Sequence, residues 1–595
     1  NCGEVLDALR TFGQAQAVAT VLCNLGNLRA ELCQWDMAVE SYKESLEILE
    51  RLGDCYSIAV AQNNLGNICY RQGDWTAALE NYRSSLAVFE KAGDRESEAS
   101  VLSNVASICY KSGDWPQALE SYQKSLDLFE RQDDLSGAAR VLGNLGNFYY
   151  RRGERSLALE HFQRGLAILE RQGDRQGAAE MQANIDMVKV SQGEIQPSVD
   201  DYQKQLRELE EYGDLSGQAE VLGTIAGACA DRCEWDLALA SYKDSLALFG
   251  QSGEIYNQAQ IMFNMALVHK DKGDLGQAAS IFEQSLQIFQ DLNAVPCIAL
   301  AKLNLGTILE MRGGQEKDAD LLLNEALRTL EALGATPDLC EGYLVMALFK
   351  LREGRSLEAK FYLSQAETLI SSTDYQPMRI QLLNAWGKFY LAETLYREAE
   401  SCYEKALALA RRLSHLYEEA RALRNLGRLA LAKEDYRDSL AKLQQAMASL
   451  QRLGAVYDVI NIYHDLVTLF LAQEDYVRAE EMAILLERQA GLLGYPDLSI
   501  KATAALAYCE AHTNRIAQAG EDYACALRLA QEQGDSIRPS TLHHLLSKVI
   551  DFLEMACTVP EEDLLPGSLR AKLQKGDHKE LLARLCPALE CSRAG

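Results

Sequence analysis

The 595 residues carry 86 acidic against 59 basic side chains, a formal net charge of −27, with 48% hydrophobic and 24% charged residues. That apolar share suits a chain with a core to bury and excludes wholesale disorder. The acidic excess argues against a nucleic-acid surface or a general attraction to anionic membrane. No run of 18 apolar residues occurs, so membrane insertion is not expected.

The chain opens on half a unit. Leu6, Leu9 and Gly13 fall in phase with Leu46, Leu49 and Gly53, so residues 1–13 are expected to be the second helix of an incomplete repeat. Its apolar face calls for a cover, and an upstream domain of the same polypeptide is one expected source.

Residues 14–545 repeat with a period of 40. Leu25-Gly26-Asn27 returns as Leu65-Gly66-Asn67 and Leu145-Gly146-Asn147, and the glycine phase also runs through Ala106, Asp186, Ala226, Ala266 and Gly306. One extra residue near Gly313-Gly314 shifts it to Ala347, Gly387, Gly427, Val467 and Ala507, giving about 13 units, more regular in 14–190. Within a unit a helical pattern, such as Tyr56 to Arg71, ends at a turn such as Gly73-Asp74-Trp75 or Gly113-Asp114-Trp115. Glycine supplies a left-handed cap and Asp accepts the free N–H groups that open the next helix. That second helix carries one apolar face, Ala78, Tyr82 and Leu86. Leu323, Leu363, Leu443 and Ala483 replace its aromatic in later units, while Asp186 and Val467 replace the glycine, where packing should loosen or adjust. A second turn, such as Gly53-Asp54 or Gly93-Asp94, closes the unit, and Pro296, Pro337 and Pro377 mark helix starts.

From about Leu542 the period is lost. Residues 546–595 hold short amphipathic stretches, Val549–Leu553 and Leu581–Leu585, expected to cap the end of the array. A partner-docking segment is the alternative. Of the 16 cysteines, Cys69, Cys109 and Cys229 share one phase and Cys33 and Cys233 another, the pattern of buried structural thiols in a reducing, cytoplasmic compartment. Cys229 and Cys233 lack two further ligands for zinc.

Leu-Gly, a small residue 12 positions after the Gly, and an aromatic four further on resemble the tetratricopeptide repeat, and the 40-residue unit with Leu-Gly-Asn is similar to the repeats of the LGN/Pins adaptor family and of kinesin light chain. The resemblance implies an all-α, right-handed superhelical solenoid of antiparallel helix pairs whose first helices line a concave groove.

Asparagine recurs two positions before the glycine phase, at Asn24, Asn64, Asn104, Asn144, Asn184, Asn264, Asn304 and Asn425. A helix-interior Asn is a poor choice for stability. A carboxamide offers both donor and acceptor, so with Asn67 on the same face this column is expected to hold an extended peptide backbone. The other reading is an internal ladder from repeat to repeat, and the two can coexist. In family terms the column matches the asparagine that holds peptide in such grooves. Tyr70, Tyr110 and Tyr150, followed by Arg71, Lys111 and Arg151 and with Arg140 nearby, form a basic, aromatic stripe suited to an acidic peptide. Those cations also complement helix C-termini. No phosphate loop or His-Glu-x-x-His motif is present, so no catalytic residue, metal or cofactor is expected. The expected function is a non-enzymatic scaffold for a protein or extended peptide, with the sensor portion of a larger switch enzyme (a nucleotide-binding signalling ATPase or a caspase-like protease) as the alternative.

Overall fold

The computed structural model describes residues 9–12, 14–32, 34–192, 202–203, 206–207, 209, 214–312, 316–371, 376–533, 538–556, 566–576 and 578–591. Leu6, Gly13, Cys33, the Gly313-Gly314 insertion and most of the fifth unit's second half lie outside the described residues.

Among the described residues every regular element is a helix, and neighbours pack as antiparallel pairs: Ala15–Glu31 with Trp35–Leu52, Cys55–Arg71 with Trp75–Ala92, and onward to Pro496–His512 with Ile516–Gln533. The turns are built as the local chemistry requires. Gly73 has φ +84° and Gly93 φ +73°, and the following Asp74 and Asp94 accept from the N–H groups of Ala77 (3.0 Å) and Ser97 (3.2 Å). Pro296 and Pro337 stand second in Val295–Arg312 and Thr336–Arg352, where a missing N–H is harmless.

Pair packing turns on the glycine phase. A Cβ added to Gly66 would sit 2.7 Å from the Tyr82 ring, so the first helix lies directly on that aromatic. Val467 in the same phase is fully enclosed because Ala483 stands where the aromatic would be, and the two pack with Leu506. The adjustment foreseen at Val467 is therefore a volume exchange across the pair.

Successive first helices touch one another from unit to unit and form the inner wall. The coil then closes on itself. The Trp35 indole donates to the carbonyl of Ser252 over 3.1 Å, 217 residues later. Trp235 donates to Leu453 O, Tyr495 to Gly273 O and Arg538 to Glu310 O, at separations of 218, 222 and 228 residues. Trp75 packs on Tyr256 with ring centroids 5.5 Å apart. Each joint sets the turn inside one unit against the turn between units five to six repeats on, so adjacent turns of the superhelix touch and the inner face borders a lumen. The last three helices, Pro539–Ala556, Pro566–Gln574 and His578–Cys591, bury Leu546, Val549, Leu569, Leu581 and Leu585 against Tyr523 and Leu527 of the final pair.

Candidate functional site

The inner face is built by residues of the first helices, and its N-terminal part begins with amides. Asn64 Nδ2 donates to Asn27 Oδ1 and Asn104 Nδ2 to Asn67 Oδ1, each over 3.1 Å and each crossing to the preceding unit. The same Asn67 oxygen accepts the Tyr82 hydroxyl at 2.7 Å, and Asn27 accepts that of Tyr42. The asparagine after the glycine thus satisfies the buried tyrosine of the second helix. In the third unit Ser107 does this for Tyr122, at 3.0 Å. Asn425 Nδ2 reaches Asn384 Oδ1 over 3.1 Å, and Asn304 accepts Lys270 Nζ at 2.6 Å. The side chains of Asn24, Asn144, Asn184 and Asn264 make no hydrogen bond with a described residue; Asn24 is exposed and the other three are half-buried. The column therefore divides into amides already joined within the coil and amides left over.

The basic, aromatic stripe meets the next turn of the superhelix. Arg71 lies 3.7 Å from a Glu254 carboxylate oxygen, with its guanidinium 5.8 Å from the Trp35 ring centre. Lys111 Nζ sits between the Tyr70 and Tyr256 rings, 4.8 and 4.2 Å from their centres. Arg151 pairs with Asp338 at 3.3 Å. Tyr110 is enclosed by Trp115 and Phe148, and burial pushes its hydroxyl up to about 12. Arg155 lies 6.0 Å from the Tyr150 ring centre, and exposed Arg140 lies 6.0 Å from that of Phe129. Arg71, Lys111 and Arg151 thus have charge or π partners inside the chain. Glu254, Tyr256 and Asp338 join them from far along the sequence.

Two charged regions of the inner face escaped sequence reasoning. Near the middle, the surrounding wall and then the neighbouring Glu180, Glu254 and Asp214 raise the carboxyl of Glu220, itself exposed, to about 7. Burial likewise lifts Asp271 and Glu341. Further on the sign changes. Lys388 and Arg428 stand directly after Gly387 and Gly427, the phase that holds Asn27, Asn67 and Asn147 in earlier units. Arg424 donates to Asp465 at 2.6 Å, and the Tyr417 hydroxyl to Asp458 at 2.6 Å. Exchange of Asn for Lys or Arg at one phase was the readable signal. Leu391, Leu431 and Leu471, four positions after the glycine phase, are only partly exposed and pack into neighbouring clusters.

The described cysteines are all free thiols, and burial raises Cys109 to about 11 and Cys233 to about 12. Among the described residues no group of three His, Cys, Asp or Glu could hold a metal ion, and no helix is long and apolar enough to cross a membrane.

Family models of the tetratricopeptide repeat match residues 17–91, 97–171 and 378–452, and another matches 259–291. The chain carries tetratricopeptide repeats. Its narrower likeness to LGN/Pins and kinesin light chain rests on unit length and the Leu-Gly-Asn phrase. No curated protein matches the chain. Solved structures similar to it include a Rap protein complexed with competence and sporulation factor, at 17% identity over 60% of this chain and 98% of that one, TM-score 0.48. A signal transduction ATPase with a tetratricopeptide repeat sensor from Pyrococcus horikoshii is similar at 15% identity over 62% and 55%, TM-score 0.39. Yeast Tom70 is similar at 16% identity over 87% and 99%, TM-score 0.31.

Proposed function

We propose that this solenoid is a non-enzymatic scaffold that takes an extended protein segment along the inner wall of its N-terminal half. The observation that carries the reading is the set of half-buried amides at Asn144, Asn184 and Asn264, on the inner helices and in one phase, with no bond to a described residue. A backbone offers alternating N–H and C=O groups, which a carboxamide matches with its own donor and acceptor. One such bond contributes only about 0.5–1.5 kcal/mol, so several units must act on one long ligand. Selectivity falls to the tyrosines beside the column. Because Arg71 and Arg151 already face carboxylates, an acidic segment at this stripe must displace Glu254 and Asp338.

A library of displayed unstructured peptides, selected on the intact protein, tests this. Changing Asn144, Asn184 and Asn264 together to Ala should leave helical content unchanged and melting no lower, and abolish capture of the selected peptides. Equal capture by the triple variant contradicts the amide column as the site.

A further inference from the structure

The inner face of the C-terminal half gathers cations from several first helices, and nearly all have an acidic partner. Arg352 pairs with Glu310, and Arg421 with Glu418 at 2.9 Å. Arg424 and Arg428 share Asp465 at 2.6 and 3.6 Å, and Arg538 holds Asp497 at 2.9 Å. Two lysines stand apart. Lys388 and Lys501 make no hydrogen bond or ion pair with a described residue, and both are partly buried. Arg352, Arg421, Arg424 and Arg428 repel Lys388. Arg352, Arg428 and Arg538 repel Lys501, against the attraction of Asp497, which Arg538 already holds. Lys501 stands one helical turn after Asp497, whose partner Arg538 reaches Glu310, the partner of Arg352, and Lys388 stands one unit before Arg428 in the same phase, although the two lysines sit on helices three units apart.

Unmatched cations withdrawn from water and crowded by other cations are costly, and a protein of net charge −27 has carboxylates to spare for pairing them. The surroundings respond as to a positive field: burial, Lys501, Arg424 and Arg428 hold His464 neutral, down to about 4, and Lys388 is pushed well below the usual lysine range by burial and its arginines. Arg428 contributes a largely open guanidinium whose carboxylate stands off at 3.6 Å, leaving donors free for a further acceptor. Two lysines without a carboxylate partner, beside guanidinium donors, match one tetrahedral dianion, whose charge holds both protonated, better than carboxylates, which bring a single charge each. A phosphoryl group near neutral pH carries about −1.5 to −2 with three acceptor oxygens.

We propose that the inner face between Lys388, Arg428, Lys501 and Arg352 is a binding site for a dianionic phosphoryl group, whether free phosphate or one carried on a small molecule or a phosphorylated side chain. The site is separate from the amide column and does not depend on the peptide reading.

Calorimetric titration of the full chain with inorganic phosphate, with O-phosphoserine, and with a phosphoserine peptide and its unphosphorylated twin tests this at constant ionic strength. Saturable binding at one site in any phosphate arm is expected, and the tightest arm tells which source the site takes. The Lys388→Gln, Lys501→Gln double variant should bind about tenfold weaker or worse, with Lys91→Gln, an exposed position, unchanged. Since both lysines are repelled in the free protein, the double variant should melt no lower than wild type and lose the phosphate-dependent rise in Tm. Arg428→Gln, at an exposed side chain, is a second route to the same loss. Absence of saturable phosphate binding overturns the proposal. So does unchanged binding by the variants, or tighter binding of a glutamate-rich peptide than of every phosphate arm.

Discussion

The asparagines show how one residue type in one repeat meets two kinds of surroundings. Asn67 accepts from a tyrosine that is 1% exposed and from Asn104, so Asn67→Ala leaves a buried hydroxyl unpaired. The expected cost is about 1–3 kcal/mol, read as faster amide exchange in Cys55–Ser112 and a lower first melting transition. Asn144→Ala removes no bond to a described residue and replaces a poor helix former by the best one, so stability should hold or rise by up to about 0.7 kcal/mol. Equal losses in the two variants would remove the distinction between joined and spare amides. Gly66→Ala sets opposing effects against each other. The helix gains about 1 kcal/mol of propensity, but the new methyl meets the Tyr82 ring at 2.7 Å, and overpacking costs about 1–3 kcal/mol. The clash should win, with a net loss of about 1 kcal/mol in the unit's opening free energy by hydrogen exchange. The glycine phase was legible in the sequence because it is a local steric demand repeated unit after unit. The division of the asparagines was not, since it depends on which neighbour each amide meets.

At the scale of the helix the turns follow rules that act over three or four residues, and they were the most readable part of the chain. Asp54, Asp74, Asp94, Asp114, Asp134 and Asp174 all accept from the N–H three residues on. Leu395 occupies the same cap position before Tyr396–Arg412, makes no side-chain cap bond and is 44% exposed. Asp74→Ala should therefore cost about 0.5–2 kcal/mol, and Leu395→Asp should add about 1 kcal/mol because an exposed Leu gives up little burial. Amide exchange in the first turns of Trp75–Ala92 and Tyr396–Arg412 should move in opposite directions. A slower-exchanging Asp74→Ala helix would mean that packing, and not the cap, sets its start. Position along an element also explains the tryptophans. Trp35, Trp75, Trp115 and Trp235 share the first place of a second helix, which as a sequence pattern reads only as apolar turn content.

At the scale of the whole molecule those tryptophans acquire their role. The joint between turns is fixed by the small rotation from unit to unit, summed over five to six units, and no local pattern encodes that sum. Sequence reasoning could place an inner face but not the residues that meet across it, so Arg71 and Arg151 were read without Glu254 and Asp338. The same closure bears on the proposed site, whose ligand would reach the lumen from an end or by parting the joints. Each joint hydrogen bond contributes about 0.5–1.5 kcal/mol net, too little for one to hold the coil closed but enough for several together. Trp35→Phe should leave the molecule near its closed form, because Trp235, Tyr495 and Arg538 still bridge their own turns. Trp35→Ala, Trp235→Ala and Tyr495→Phe combined should lengthen the superhelix, seen as a larger radius of gyration by small-angle X-ray scattering with helical circular dichroism unchanged. If ligands enter by parting the joints, the same triple variant should also capture inner-face peptides with a faster on-rate. An unaltered scattering curve would show that packing within the wall, and not these bridges, keeps the turns together.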